Sequence, residues 1–198
     1  MRRRYLATLP ALLLACAGAQ GSRATSGPPT PASPGSGEET MTAFDLSQSG
    51  KPTLWKYTRR GADGKDVVVR RERDLNGDGR VDVWEYYDET GNLEKQVVDL
   101  DFDGKPDVII YFEKGQMVRK ESAFGFDGKA TEIAYYEKGK LVRKEKDLNG
   151  DGKIDYWEYW ENGEIDRIGI DTDGCGKVDR WEMRRPTTAA ASGQPAAK

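Results

Sequence analysis

Three segments of the sequence share a nine-residue pattern, Asp-x-(Asn/Asp)-x-Asp-Gly-x-x-Asp, which concentrates oxygen ligands in a short stretch of chain. Side-chain oxygens at positions 1, 3, 5 and 9 and a backbone carbonyl at position 7 are hard ligands of the kind that Ca²⁺ prefers. The glycine at position 6 permits a sharp bend, and the like charges repel one another unless a cation joins them. The predicted metal ligands are Asp74, Asn76, Asp78, Arg80 and Asp82; Asp99, Asp101, Asp103, Lys105 and Asp107; and Asp147, Asn149, Asp151, Lys153 and Asp155, where Arg80, Lys105 and Lys153 contribute a carbonyl oxygen.

Other segments match this pattern only in part. The last one keeps Asp171, Asp173 and Asp179 but has Cys175 at position 5, a soft ligand that is poorly matched to Ca²⁺, so we expect a weaker site there. The segments that start at positions 45 and 123 hold still fewer acids. An alternative is that Asp, Asn and Gly are present only as turn formers. That alternative accounts for the Asp-Gly pairs but not for acids at four fixed positions.

The complete pattern resembles the EF-hand calcium loop, because positions 1, 3, 5, 6, 9 and 12 are matched from Asp74 to Glu85 and again from Asp147 to Glu158. The flanks favour strands, and in a strand a residue three places beyond position 9 points to the opposite face, so Glu85, Glu158 and Glu182 are left out of the predicted ligand sets. The stretch DLDFDGKPDVII also resembles the calcium loops of FG-GAP repeats, and YYEKGKLVRKE resembles MORN-type hairpins. These resemblances imply calcium loops between stacked β-hairpins.

The loops must be positioned by a repeated unit, because similar segments start at residues 45, 74, 99, 123, 147 and 171. In each unit, an alternating run rich in aromatic and β-branched residues predicts a strand. A turn signal such as Glu161-Asn162-Gly163 and a second run complete a hairpin. The predicted fold class is therefore all-β: an antiparallel hairpin meander of about a dozen strands, forming an elongated sheet or solenoid of six units of about 24 residues. Calcium-type loops are expected on one side and tight turns on the other.

The alternation within the units also predicts which residues share a face. Large apolar residues recur at equivalent positions of each unit, and we expect them to form one apolar face that stacks hairpin on hairpin. The predicted set contains Trp55, Trp84, Ile109, Ile133, Trp157 and Trp181; Tyr57, Tyr86, Tyr111, Tyr135, Tyr159 and Met183; and Leu93, Met117, Leu141 and Ile165.

The N-terminal segment MRRRYLATLPALLLAC has the basic start and short apolar run of a secretory signal. Its end, Leu13-Leu14-Ala15-Cys16, resembles the lipobox of bacterial lipoproteins, which implies cleavage before Cys16 and lipidation of its thiol. An ordinary secretory signal is the alternative. The predicted organisation is a signal peptide at 1–15, the lipidated cysteine with a disordered Gly/Pro/Ser-rich tether at 16–43, the hairpin domain at 44–185 and a disordered tail at 186–198. The implied location is the bacterial envelope, on the outer membrane or cell surface.

Composition narrows the function classes. The chain contains no histidine, which removes the commonest general base, and its 31 basic and 34 acidic side chains give no basic field for a nucleic-acid partner. The sequence therefore predicts a non-enzymatic, calcium-binding envelope lipoprotein with a structural or binding repeat domain. The alternative is a protein- or glycan-binding surface module in which the loops are only turns or calcium is incidental. A metal-dependent hydrolase fits least, because no unit carries an extra nucleophile or base.

Overall fold

A computed structural model of the protein describes residues 38–123 and 129–183. These residues form one sheet of twelve antiparallel strands in chain order, with no helix among them, which confirms the predicted all-β meander. The described residues contain no helix that is long and apolar enough to cross a membrane. The strands are β1 Glu39–Phe44, β2 Leu54–Arg60, β3 Asp66–Arg73, β4 Val83–Tyr87, β5 Leu93–Val98, β6 Val108–Glu113, β7 Gln116–Ser122, β8 Glu132–Glu137, β9 Lys140–Lys146, β10 Tyr156–Glu161, β11 Glu164–Ile170 and β12 Arg180–Met183.

Several predictions from the sequence fall elsewhere in the chain. The signal peptide, Cys16, most of the tether and the tail at 186–198 lie outside the described residues. The strand β1 begins at Glu39, so the sheet includes the last residues of the predicted tether and starts five residues before the predicted boundary at position 44. Alternating Thr40 and Thr42 give this segment β-branched residues, and it pairs with β2 along its whole length.

The antiparallel order sorts the connections onto two sides of the sheet. Connections that follow odd-numbered strands lie on one side, and these include the acidic segments 45–53, 74–82, 99–107, 147–155 and 171–179, which we call the loop side. The opposite, turn side carries tight connections such as Asn162-Gly163, with φ of 53° and 83°. Positive φ at both central residues is typical of a type I′ turn, whose twist matches that of the strands.

The sheet is a single layer. Within the described ranges, each strand contacts only its neighbours in the sheet, and the buried hydrophobic residues are only Val83, Val97, Ala123 and Ala134. Most apolar burial is therefore lateral, between neighbouring side chains on the same face.

One face carries a row in which aromatic rings alternate with cations. The pairing register places Arg70, Lys95, Arg119, Arg143 and Arg167 between Tyr57, Tyr86, Tyr111, Tyr135 and Tyr159, and we call this row the tyrosine–cation ladder. The guanidinium of Arg70 lies 3.9 Å from the ring centre of Tyr57, and that of Arg143 lies 4.1 Å from the ring centre of Tyr135. Carboxylates of the next row complete the contacts, as in the 2.9 Å bond from the Tyr135 hydroxyl to Glu145.

The prediction of one apolar face is therefore wrong in two respects. The return strands place charged side chains between the aromatic ones, so the face is mixed rather than apolar. Leu93 is paired with Tyr87. Because side chains alternate along a strand, Tyr87 and its partner Leu93 lie on the face opposite to that of Tyr86. A bulge between Tyr86 and Tyr87 shifts the parity of the return strand by one residue. The same shift moves Met117, Leu141 and Ile165 to that face.

Candidate metal centres

The first aspartate of each complete loop anchors the bend with both of its carboxylate oxygens. In the first complete loop, Oδ1 of Asp74 accepts a 2.6 Å hydrogen bond from the backbone N–H of Gly77, and Oδ2 accepts a 2.8 Å bond from Gly79. The loop from Asp147 repeats this arrangement, with both bonds 2.7 Å long. Asp74 is 6% exposed, so these donors compensate much of the cost of burying its charge.

The two donating N–H groups face the aspartate because positions 4 and 6 have a left-handed backbone. Gly77 and Gly79 have φ of 80° and 93°. The loop from Asp99 has Phe102 at position 4, with φ of 64°, and its N–H still reaches Oδ1 of Asp99 at 2.8 Å. A bulky residue in this region carries backbone strain. Glycine at position 4 of the loops from Asp74, Asp147 and Asp171 was a signal of this requirement, although we assigned a bend only to the glycine at position 6.

The ninth residue closes the base of each loop. Oδ2 of Asp82 accepts a 2.7 Å bond from the N–H of Leu75, and Asp107 accepts a 2.6 Å bond from Leu100 in the next loop. Asp82 is only 1% exposed. Positions 1 and 9 are therefore held next to each other at the end of the flanking strands, as the ligand pattern requires.

Positions 3 and 5 form consecutive Asx turns. Oδ1 of Asn76 accepts a 2.9 Å bond from the N–H of Asp78, and Oδ1 of Asp78 accepts a 2.7 Å bond from Arg80. The same bonds measure 2.8 Å and 2.7 Å in the loop from Asp147, where they involve Asp151 and Lys153. In both of these loops, residue 7 therefore lies beside the side-chain carboxylate of position 5.

Convergence of the predicted ligands is clearest in two loops. Carboxylate oxygens of Asp99, Asp101 and Asp107 lie within 4.8 Å of one another, a distance that a single bound cation can span. In the same loop, however, the Lys105 ammonium lies 3.1 Å from Oδ2 of Asp103, so a metal that used this oxygen would displace the ammonium. Ligand atoms of Asp171, Asp173 and Cys175 also lie within 4.8 Å of one another, although the set includes the thiol at position 5.

Local electrostatics differ among the loop carboxylates. Burial raises the pKa of Asp99 despite the two N–H groups that it accepts. The hydrogen bond from the Lys105 ammonium lowers the pKa of Asp103, and the hydroxyl of Thr172 lowers the pKa of Asp179. A cation placed between Asp99 and its neighbours would favour the charged form of Asp99, because opposite charge opposes the effect of burial.

The first loop shows which of these features the bend itself needs. Asp45 accepts a 2.7 Å bond from the N–H of Gly50, as position 1 does elsewhere, but positions 3, 5 and 9 are Ser47, Ser49 and Thr53. The hydroxyl of Thr53 accepts a 3.2 Å bond from Leu46 where other loops use a carboxylate. The same fold of the loop therefore needs one acid, and the acids at positions 5 and 9 of the complete loops exceed what the bend requires.

Neighbouring loops are connected through the backbone and through one side chain. The N–H of Asp99 donates a 2.8 Å bond to the carbonyl of Asp82, and Asp171 makes the same contact with Asp155. The ammonium of Lys153 also reaches the carbonyl of Gly174 at 2.6 Å. Position 1 of one loop is thus bonded to position 9 of the loop before it.

The twelfth position of the EF-hand pattern lies outside this arrangement. Glu158 receives a 2.7 Å bond from the Lys146 ammonium and a 3.1 Å bond from the indole of Trp160, both on the sheet face. Glu85 is likewise bonded to Arg73 at 2.9 Å. These glutamates are engaged by strand residues.

Comparison with known proteins gives one family match. A family model described as "EF hand" matches residues 145–161, which contain the loop from Asp147. No curated protein matches the chain.

Similar solved structures cover only part of the chain. A chain of the GtfA/B complex is 15% identical with a TM-score of 0.38, over 51% of this chain and 19% of that one. Accessory secretory proteins 1, 2 and 3 of Streptococcus pneumoniae give 17% identity and a TM-score of 0.36, over 49% and 18%. A TarM variant of S. aureus gives 15% and 0.36, over 63% and 20%. This chain spans about a fifth of their length, and such TM-scores assign no shared activity.

Proposed function

We propose that this protein is a calcium-binding envelope lipoprotein, tethered to the membrane through Cys16, whose hairpin domain is stabilised by Ca²⁺ on the loop side. The observation that carries the proposal is the contrast between the loop from Asp45 and the complete loops. The first bend has hydroxyl groups at positions 5 and 9, whereas the complete loops place carboxylates there. Carboxylates that the bend does not need are destabilising neighbours unless a cation binds them. The EF-hand match at 145–161, which contains the loop from Asp147, also favours calcium.

In this proposal calcium is structural. Each cation would draw positions 1, 3, 5 and 9 together and so fix the start of the next strand, which couples binding to folding. Because position 1 of one loop is bonded to position 9 of the previous one, closing a loop also orders the base of its neighbour. The proposal assigns no catalytic role to the loop acids.

Calorimetric titration of the protein with CaCl₂ tests the proposal. Three complete loops predict a stoichiometry near three. Asp151→Ala should remove about one site, whereas Asp66→Asn, which changes an exposed carboxylate on the turn side, should remove none. Cys175→Asp should add a site by supplying the missing oxygen at position 5. Absence of binding at millimolar calcium, or equal loss in the two aspartate variants, would show that the acids serve only as turn formers.

A second candidate function, a protein-binding module, is favoured by exposed apolar residues on the loop side. Position 2 of each described loop donates its N–H to position 9, and its side chain points to solvent in four of them: Leu46 at 66%, Leu75 at 56%, Leu100 at 57% and Leu148 at 66% exposure. Loops that follow alternate strands are two strand spacings apart, roughly 10 Å. Leu46, Leu75 and Leu100 therefore form a stripe along three successive loops, with Leu148 two loops beyond Leu100, and a stripe of this kind is typical of interaction surfaces.

A photo-crosslinking residue separates this candidate from the first. Benzoylphenylalanine is placed at Leu75 or at Leu148 in cells, and at Glu137 on the turn side as the control. A discrete adduct at both leucine positions and not at Glu137 supports a docking stripe. Equal labelling at all three positions, or none, removes this candidate and leaves the calcium proposal untouched.

A further inference from the structure

The tyrosine–cation ladder changes its chemistry at the two edges of the sheet. Every interior strand that follows a turn on the turn side presents Arg or Lys to the ladder, but β1 presents Met41, which is paired with Tyr57. The even-numbered strands β2 to β10 each present Tyr to the ladder. The last even-numbered strand, β12, instead presents Met183, which is paired with Arg167. One residue of each ladder pair is thus replaced by methionine only at the two outer strands of the described sheet.

These edge residues are exposed together with their apolar neighbours. Met41 is 53% exposed, Met183 is 69% exposed, and Trp181 in the adjacent row is 49% exposed. Proteins built from stacked repeats usually end in units with a polar outer surface, and free sheet edges are usually protected by charges. Neither outer strand follows that rule at its ladder position.

The two edges are complementary in direction and in register. In this sheet every odd-numbered strand runs antiparallel to its even-numbered neighbours. The odd-numbered strand β1 of a second copy could therefore continue the same pattern beside β12. The β4–β5 pair sets Trp84 opposite Val97 and Tyr86 opposite Lys95. The same register applied to β12 and to β1 of a second copy sets Trp181 opposite Ala43 and Met183 opposite Met41.

This arrangement would bury side chains that are compatible in size and polarity. The indole of Trp181 would cover a small alanine, and the two thioethers would pack against each other, as flexible methionine side chains do readily. In the sequence, Glu38 and Glu39 precede Thr40, with Glu39 already 3.3 Å from Arg59, while Arg184 and Arg185 follow Met183, so residues of opposite charge flank the two methionines along the chain.

We propose that β12 of one copy adds to β1 of a second copy, so that the protein associates head to tail through a continuous sheet. The occupant is another copy of this chain because both halves of the complementary pair are present on each chain. This inference is independent of calcium binding, since the residues involved lie on the strands and not in the acidic loops. Association of this type is open-ended, because each added copy leaves one free edge.

Sedimentation equilibrium over a range of protein concentrations tests this inference. All samples carry Cys16→Ala, so that lipid cannot cause association, and contain a fixed calcium concentration. The average mass should rise with concentration beyond that of a dimer. Met183→Glu places a charge in the proposed contact and should raise the dissociation constant roughly tenfold or more. Gln116→Glu is the matched control, because Gln116 is an exposed residue of the interior strand β7, outside the acidic loops and distant from both edges.

A mixing experiment distinguishes the proposed contact from misfolding and from two-fold pairing. The variant Met41→Lys should also associate weakly on its own. An equimolar mixture of Met41→Lys and Met183→Glu should associate again, because the unaltered β12 of the first variant meets the unaltered β1 of the second, and the new lysine faces the new glutamate at the other contact. A protein that is monomeric at all concentrations, a mass that stops at a dimer insensitive to Met183→Glu, or the absence of rescue on mixing would each overturn the inference.

Discussion

Replacing the acids of one complete loop by the hydroxyls of the first loop separates the two roles of those acids. The variant Asn149→Ser, Asp151→Ser and Asp155→Thr gives the loop from Asp147 the same residues at positions 3, 5 and 9 as the loop from Asp45. The bond from position 2 to position 9 is 3.2 Å long with threonine and 2.9 Å with aspartate, so the backbone bend should remain. Two of the three carboxylates available to a cation are removed, and that of Asp147 remains.

The size of the calcium effect follows from binding linkage. A dissociation constant of about 10⁻⁴ M, within the range of extracellular calcium modules, gives each site about 1.4 kcal/mol at about 1 mM Ca²⁺, and three sites about 4 kcal/mol. For a domain of this size each kcal/mol corresponds to roughly 2–4 °C in Tm. Calcium should therefore raise the Tm of the unaltered protein by roughly 8–16 °C, and that of the variant by about two-thirds as much.

Thermal unfolding followed by circular dichroism, in calcium and in chelator, measures both increments. In chelator the variant should be at least as stable as the unaltered protein, because carboxylates that repel one another have been removed. If the variant instead loses the same stability in chelator as in calcium, the acids act as turn formers and the proposed role of calcium is refuted.

Three further predictions concern other parts of the molecule. Hydrogen bonds from Thr90 and Asn92 lower the pKa of Asp88 to about 2. The free energy of unfolding should therefore fall as the pH drops from about 4 to about 2. In Asp88→Ala, the midpoint of urea unfolding should change less with pH across that range. Arg143→Met should cost about 1–2 kcal/mol in urea unfolding by removing the Tyr135 and Glu145 contacts, and an unchanged midpoint would exclude the ladder as a stabilising feature. Labelled fatty acid should be incorporated in bacteria by the full chain and not by Cys16→Ala.

The period and the alternation of the sequence were sufficient to predict the meander. Each unit repeats the same signals, so an error in one unit is corrected by the others, and the strands fall where aromatic and β-branched residues alternate. The bulges were not predictable from alternation. The bulge inserts one extra residue in the return strand opposite Tyr86 and Tyr87. Its only sign in the sequence is that the apolar residues before and after the turn no longer alternate in step. Leu93 was therefore assigned to the wrong face.

The loop residues were predicted as ligands but not as hydrogen-bond acceptors. Their spacing matches a calcium loop, and the structure adds that positions 1, 3, 5 and 9 each accept backbone N–H groups. A signal was present in the sequence, since Ser49 and Thr53 stand where acids stand elsewhere. Hydroxyls can accept the same bonds, so the partial loop could have been recognised as the same bend. The left-handed backbone of Phe102 could have been predicted only from the glycines at position 4 of other loops, because phenylalanine itself does not favour that conformation.

Because each strand that the structure describes contacts only its neighbours in the sheet, the number of repeat units can change while the remaining strand pairs keep the same partners. The unit 123–146 contributes the strands β8 and β9, and Arg143 and Glu145 of β9 face β10. The preceding unit ends on Arg119 and Glu121, which have the same chemistry in the same register. A gene that lost the intervening codons would still encode matched partners for β10, and the sheet would be shorter by two strand spacings, roughly 10 Å. Recombination between repeats can thus vary the reach of such a protein while every remaining interface stays intact.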